Sequence, residues 1–122
     1  MPVLRFLSPD DPPSAGFLRE VSELITTELG IDPGHCWAMW LRVAEGGYHR
    51  PEWQLEGARG PVIFLTCKAS YSPHVIARLL PLVAESTAER VGCDPGDVYI
   101  AVQRAAEHEL FVRGAIWHRD GD

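Results

Sequence analysis

The chain opens Met1-Pro2, and Pro2 is the residue best placed to do unusual chemistry. Initiator methionine is trimmed ahead of small residues such as proline, so the expected mature chain begins with a free secondary amine. A model-peptide α-amine titrates near pH ~8, and a secondary amine is somewhat more basic. Neutral, such a group can accept a proton; a base works best when its pKa is near the working pH. Cations that could face it are spread along the sequence. Arg42 and Arg104 each stand eight residues past the glycine of an Asp-Pro-Gly turn, Lys68 follows an apolar run, and Arg113 lies in the tail. At strand ends, Arg42 and Arg104 fit ligand binding and simple snorkelling equally well. Tyr48, His49 and Arg50 share a long loop that could close a pocket. Tyr71 sits in a second loop, where it fits packing or substrate contact.

Other chemistries lack their residues. The five histidines have no metal-ligand spacing, and His108-Glu109 is followed by Val112 where a zinc helix needs a second histidine. There is no G-x-S-x-G and no glycine-rich phosphate loop. No metal or cofactor is therefore expected. Cys36, Cys67 and Cys93 form no C-x-x-C pair, and an odd count suggests reduced thiols in a cytoplasmic protein. Cys36 and Cys67 read as small apolar residues within or beside strands. A net charge of -6 argues against a nucleic-acid partner. No stretch approaches the ~20 apolar residues of a membrane helix. A small organic anion remains open, if a few arginines converge in one pocket.

The elements that must position these residues come in a repeat. Gly30-Ile31-Asp32-Pro33-Gly34 recurs as Gly92-Cys93-Asp94-Pro95-Gly96, each followed by an apolar strand and preceded by a helical pattern. Ahead of each helix a strand begins at proline, over residues 2–7 and 61–66. In the first helix Phe17, Leu18, Val21, Leu24, Ile25 and Leu29 form the apolar stripe. In the second, Ser72-Pro73 is the start signal and Val75, Ile76, Leu79, Leu80 and Val83 form the stripe. Pro81 inside that pattern costs roughly 3 kcal/mol, and predicts a kink rather than an end. Residues 44–60 read as a loop with a short hairpin around Trp53, and residues 108–117 as one or two short strands around Gly114.

One domain over residues 1–122 follows. Unit one covers about 2–43, the connecting loop 44–60, unit two about 61–104 and the tail strands 105–122. Two βαβ units predict an α+β fold: a four-stranded mixed sheet with both helices on one face. Trp37, Trp40, Phe64 and Tyr99 cannot all lie under two helices, so a homo-oligomer is expected to cover the other face. The same element order describes a ferredoxin-like dimer, from which strand order alone would separate it.

With Met1-Pro2 opening a hydrophobic strand, tandem βαβ units, the strand Asp97-Val98-Tyr99-Ile100 and the stretch Phe64-Leu65-Thr66-Cys67-Lys68, the chain resembles the tautomerase superfamily. The likeness is to its duplicated members, such as macrophage migration inhibitory factor and 5-carboxymethyl-2-hydroxymuconate isomerase. That resemblance implies a homotrimer, with Pro2 as general base in a pocket near a subunit boundary. It implies a keto–enol or unsaturated oxo-acid substrate, whose enolate charge a cation or hydrogen-bond donor must hold. Two departures stand out. The loop after the first strand, residues 8–13, carries no cation, and the mid-strand arginine of other members is replaced by Ala38 and Ala101. Lys68, Arg42 and Tyr71 are left as the nearest substitutes, with Arg104, Tyr48 and Arg113 beyond them. Two other functions fit the same fold: a hydratase or dehalogenase of an unsaturated acid, needing an extra carboxylate such as Glu45, Glu52, Glu107 or Glu109, and a non-catalytic trimeric binding module.

Overall fold

The computed structural model describes residues 1–51 and 58–119; the expected short hairpin around Trp53 and the candidate carboxylate Glu52 lie outside them. Strand β1 (Val3–Ser8) leads to helix α1 (Phe17–Leu29) and strand β2 (Trp37–Arg42). Strand β3 (Val62–Lys68), helix α2 (Pro73–Val91) and strand β4 (Tyr99–Ala105) repeat the pattern. The tail forms a hairpin, β5 (Phe111–Val112) and β6 (Ala115–Ile116). Both first strands start one residue after their proline, which has no N–H to give to a ladder.

The main sheet has the order β2-β1-β3-β4. β1 pairs in parallel with β2 and antiparallel with β3, and β3 pairs in parallel with β4. Each helix therefore joins two adjacent strands. In a ferredoxin-like sheet the βαβ units are split by an intervening strand, so the order removes that alternative. Antiparallel pairing of β1 with β3 has a functional consequence: the start of β1 and the end of β3 fall at one end of the sheet.

Alternation decides which side chains meet the helices. Leu4 and Phe6 of β1 and Ile63 and Leu65 of β3 are buried against Phe17, Val21, Ile25, Leu79 and Val83, and Cys67 is buried on the same face of β3. Full burial of each large side chain stabilises by about 1.5–3 kcal/mol. Trp40 belongs to this face too, stacked on Phe6 at 5.5 Å and edge-on to Phe17 at 5.8 Å. Its indole N–H donates to the Asp10 carbonyl, 2.9 Å. Trp37, Met39, Leu41 and Tyr99 point the other way and are exposed.

Both helices end as their sequences require. Gly30 (φ 67°) and Gly92 (φ 84°) take the left-handed conformation that glycine adopts without a Cβ penalty. The Ser72 hydroxyl accepts from the Val75 N–H at 3.3 Å and starts α2. Pro81 lies inside α2, which continues past it to Val91. Ion pairs Glu20–Arg90 and Glu28–Arg78 link α1 to α2. No helix among the described residues is long and apolar enough to cross a membrane.

Candidate functional site

Val3 sits opposite Thr66 of β3, so the amino end of β1 lies alongside the carboxyl end of β3, where Lys68 stands. The tail hairpin folds over this end of the sheet. Its two-residue turn is Arg113-Gly114, both at positive φ (55° and 81°), in keeping with a type I′ connection. A non-glycine residue at such an angle is uncommon, and here it is an arginine. Trp117 anchors the hairpin: it is 5% exposed, and the Lys68 ammonium stands 5.4 Å from its ring centroid, within cation–π range. Backbone bonds from Trp117 N–H to the Leu110 carbonyl (2.8 Å) and from His108 N–H to the Trp117 carbonyl (2.9 Å) close the base of the hairpin.

Between hairpin and sheet lies a cavity of ≈ 500 Å³. Met1, His35 and Lys68 form its floor side, and Val112, Arg113, Ala115, Ile116 and Trp117 its hairpin side. Pro2, the next residue after Met1, is buried. His35 arrives on the 3-10 turn Pro33–His35 just ahead of β2, with Asp32 at 4.0 Å from its Nε2. The cavity thus combines a lysine, an arginine, an imidazole and an apolar wall. No carboxylate lines it among the described residues. Such a lining suits an anionic ligand with a flat or apolar arm.

The other expected site residues divide between the two ends of the sheet. Arg104, which pairs with Cys67, is at the Pro2 end, but its guanidinium donates to the Ala69 and Tyr71 carbonyls (3.3 and 2.8 Å). It thereby fixes the loop after β3 that carries Tyr71. Arg42 pairs with Ser8 and so stands at the opposite end, bonded to Asp11. Tyr48 is at that far end too, in a cluster with Glu45 and Arg59. Arg59 bonds Asp10 through two nitrogens (3.1 and 2.6 Å) and Glu45 at 3.1 Å. These bonds hold the Asp10 and Glu45 carboxyls below the usual carboxylate range, and hold Arg59 more firmly protonated. Sequence reasoning found no cation for the loop after β1; the fold brings Arg59 to it from 49 residues away.

The far end is the counterpart of the cavity in the second repeat, and it is built differently. Pro61 is buried there as an internal residue. Gly60 ahead of it gives its N–H to Asp97 Oδ2 at 2.8 Å, and Arg50 bonds the Gly60 and Asp97 carbonyls at 3.1 and 2.6 Å. Where unit one has an open cavity, unit two has a clamp. A smaller apolar pocket of ≈ 190 Å³ lies nearby, between Leu7, Val43, Tyr48 and Val62. No group of acidic, cysteine or histidine side chains that could hold a metal occurs among the described residues.

His35 and Trp117 are site residues that sequence reasoning missed. The position of His35, directly after an Asp-Pro-Gly turn and ahead of a strand, was a usable signal. Trp117 offered none, because only tertiary folding returns the tail to the head of β1.

The sequence matches no family model and no curated protein. Solved structures match it over almost its whole length. A fused 4-OT described as an asymmetric trimer superposes with TM-score 0.79 at 12% identity, covering 93% of this chain and 94% of that one. A member of the cis-3-chloroacrylic acid dehalogenase family gives 0.74 at 11% identity, covering 98% and 85%. Macrophage migration inhibitory factor from Toxoplasma gondii gives 0.68 at 8% identity, covering 95% and 98%. Identities this low speak for architecture alone, and these architectures agree with the tandem βαβ reading of the sequence: the chain shares the fold of these proteins.

Proposed function

We propose that this protein is a tautomerase-type isomerase in which the Pro2 amine, freed by loss of Met1, is the general base. The observation that carries the reading is the cavity at the head of β1, where Lys68 and Arg113 meet an apolar wall beside the start of the chain. Met1 lines that cavity and Pro2 follows it directly, so trimming Met1 extends the cavity towards the proline nitrogen. Burial and neighbouring cations both disfavour the ammonium form and so favour the neutral amine that a base needs. That amine removes a proton from carbon next to a carbonyl and returns it elsewhere. Lys68 and Arg113 hold the acid group of the substrate and the charge that develops on the enolate oxygen. The substrate is a keto–enol or unsaturated oxo-acid. Hydration or dehalogenation needs a carboxylate to activate water; of the candidates, Glu45 is held by Arg59 at the far end and Glu52 lies outside the described residues.

A trimer completes the proposal. The exposed sheet face carries Trp37, Met39, Leu41 and Tyr99, and a protein of this fold is described as a trimer. The competing reading is a non-catalytic trimer that binds a small acid in the same cavity; the missing arginines at positions 38 and 101 favour it. The deciding experiment is the ultraviolet assay of enol-to-keto conversion with phenylenolpyruvate and 2-hydroxymuconate. Met1-processed protein and its Pro2→Ala variant are run in parallel. Conversion that falls to the buffer rate in Pro2→Ala supports the amine base. Equal conversion in both proteins, or none in either, overturns it.

A further inference from the structure

Pro2 is held between two cysteines. Val3 faces Trp37 on β2 and Thr66 on β3, so one residue earlier Pro2 falls between Cys36 and Cys67. The Trp37 N–H donates to the Pro2 carbonyl at 3.0 Å, which fixes the β2 side. Strand alternation puts all three on the helix-covered face with Leu4 and Leu65. Pro2 is fully buried, Cys67 is 2% exposed and Cys36 7%. Two strand spacings separate the cysteines, about 9–10 Å. That exceeds the ~7 Å limit on Cα separation for a disulfide, so they are not a redox pair.

We infer that Cys36 and Cys67 are positioning residues that flank the Pro2 amine with neutral, weakly hydrogen-bonding walls and so keep its ammonium form poorly solvated. Burial pushes both thiols up, opposed only in part by the Ser22 hydrogen bond at Cys36, by Arg104 at Cys67, and least by the charge of the amino terminus. At neutral pH both are therefore S–H groups, small and apolar in behaviour. A serine hydroxyl in either place would hydrogen-bond an ammonium well; an S–H does so weakly. Cations around the site act in the same direction. Lys68 approaches from the end of β3 and Arg113 from the hairpin; His35 stands on the turn before β2 with the Asp32 carboxylate 4.0 Å from its Nε2, and Arg104 of β4 acts on Cys67 against burial. From α1, the Ser22 hydroxyl hydrogen-bonds the Cys36 thiol.

The inference rests on Pro2 being the base, so its test reads the amine itself rather than turnover. Met1-processed protein labelled with 15N-proline is titrated by NMR, following the Pro2 nitrogen. Cys36→Ser and Cys67→Ser are compared with Cys36→Ala and Cys67→Ala. The expected result is an upward shift of the Pro2 midpoint by about one pH unit in each serine variant, a tenfold smaller neutral fraction below the midpoint. Alanine variants stay within about 0.3 unit of wild type. Serine variants that titrate with wild type overturn the inference, and so does an equal shift in serine and alanine variants, which would make the effect one of packing. Cys36 is the less buried, so its variants decide the question alone should those at Cys67 not fold. A wild type without enol–keto activity defeats the proposed function and leaves this titration decisive.

Discussion

At the scale of single residues, the two ends of the sheet predict different responses. Lys68 lines the cavity beside Met1, held over Trp117. Lys68→Ala is expected to lower kcat/KM by about 10²-fold or more, as loss of an oxyanion partner does. Lys68→Arg should recover part of it, and steady-state kinetics on the three proteins checks both. Arg42→Ala, at the far end against Asp11, should leave kcat/KM within a factor of about two. The Arg59 cluster affects stability instead. Its bonds lower the Asp10 and Glu45 pKa values, so the stability they supply is present above the ordinary carboxylate range near ~4 and is lost as pH falls through the lowered values. Arg59→Met should therefore be less stable than wild type at pH 7, and the gap should close below about pH 4. Urea unfolding at a series of pH values measures it, and a gap independent of pH would point to lost packing instead.

At the scale of elements, the connection between the two repeats is pinned by a residue with no side chain. A Cβ on Gly60 would stand 2.4 Å from the Asp97 carbonyl oxygen, a backbone atom that cannot step aside. Gly60→Ala should then cost about 1–3 kcal/mol, as overpacking does, seen as a lower urea midpoint with unchanged slope. Nothing in the sequence marks Gly60 among the neighbouring glycines, because the clash is with residue 97. By contrast, the helices were legible. Phe17, Val21 and Ile25 at helical spacing bury one face of α1, and Gly30 and Gly92 end the helices through local backbone geometry. Pro81 is the instructive middle case. Its local cost predicts a kink rather than an end, and α2 does run on past it to Val91, held by the buried stripe of Ile76, Leu79 and Val83. Sequence placed Arg42 and Lys68 at strand ends without saying which end of the sheet. Only the antiparallel β1–β3 pairing sends Lys68 to Pro2 and Arg42 away from it.

At the scale of the whole molecule, the strongest demand is made by what the chain leaves uncovered. Trp37, Met39, Leu41 and Tyr99 expose apolar surface on one face of a sheet whose other face is fully used by α1 and α2. Soluble monomers seldom present so continuous a patch. The patch is also not uniform. Arg5 sits within it, stacked 5.4 Å from the Phe64 ring centroid and bonded to Gln103 Oε1 at 2.7 Å. A charge satisfied inside the subunit can be covered by a neighbour without being left unpaired. The tail hairpin adds a second exposed apolar pair, Phe111 and Ile116, directly across from each other and beside the cavity. If copies of the chain cover both surfaces, a charge placed on the open sheet face must break the assembly while leaving each fold intact. Met39→Glu is the sharpest choice, since the residue is already 40% exposed and lies outside the core cluster. Light scattering after gel filtration should give three times the chain mass for wild type and one chain for Met39→Glu, with unchanged far-ultraviolet circular dichroism. The hairpin wall should suffer next: with its outer pair left in water, amide exchange in residues 108–117 should rise in the variant while β1 and β3 stay protected. A wild type that runs as a monomer would mean that the open face serves some other partner, and that the Pro2 cavity is complete within one chain.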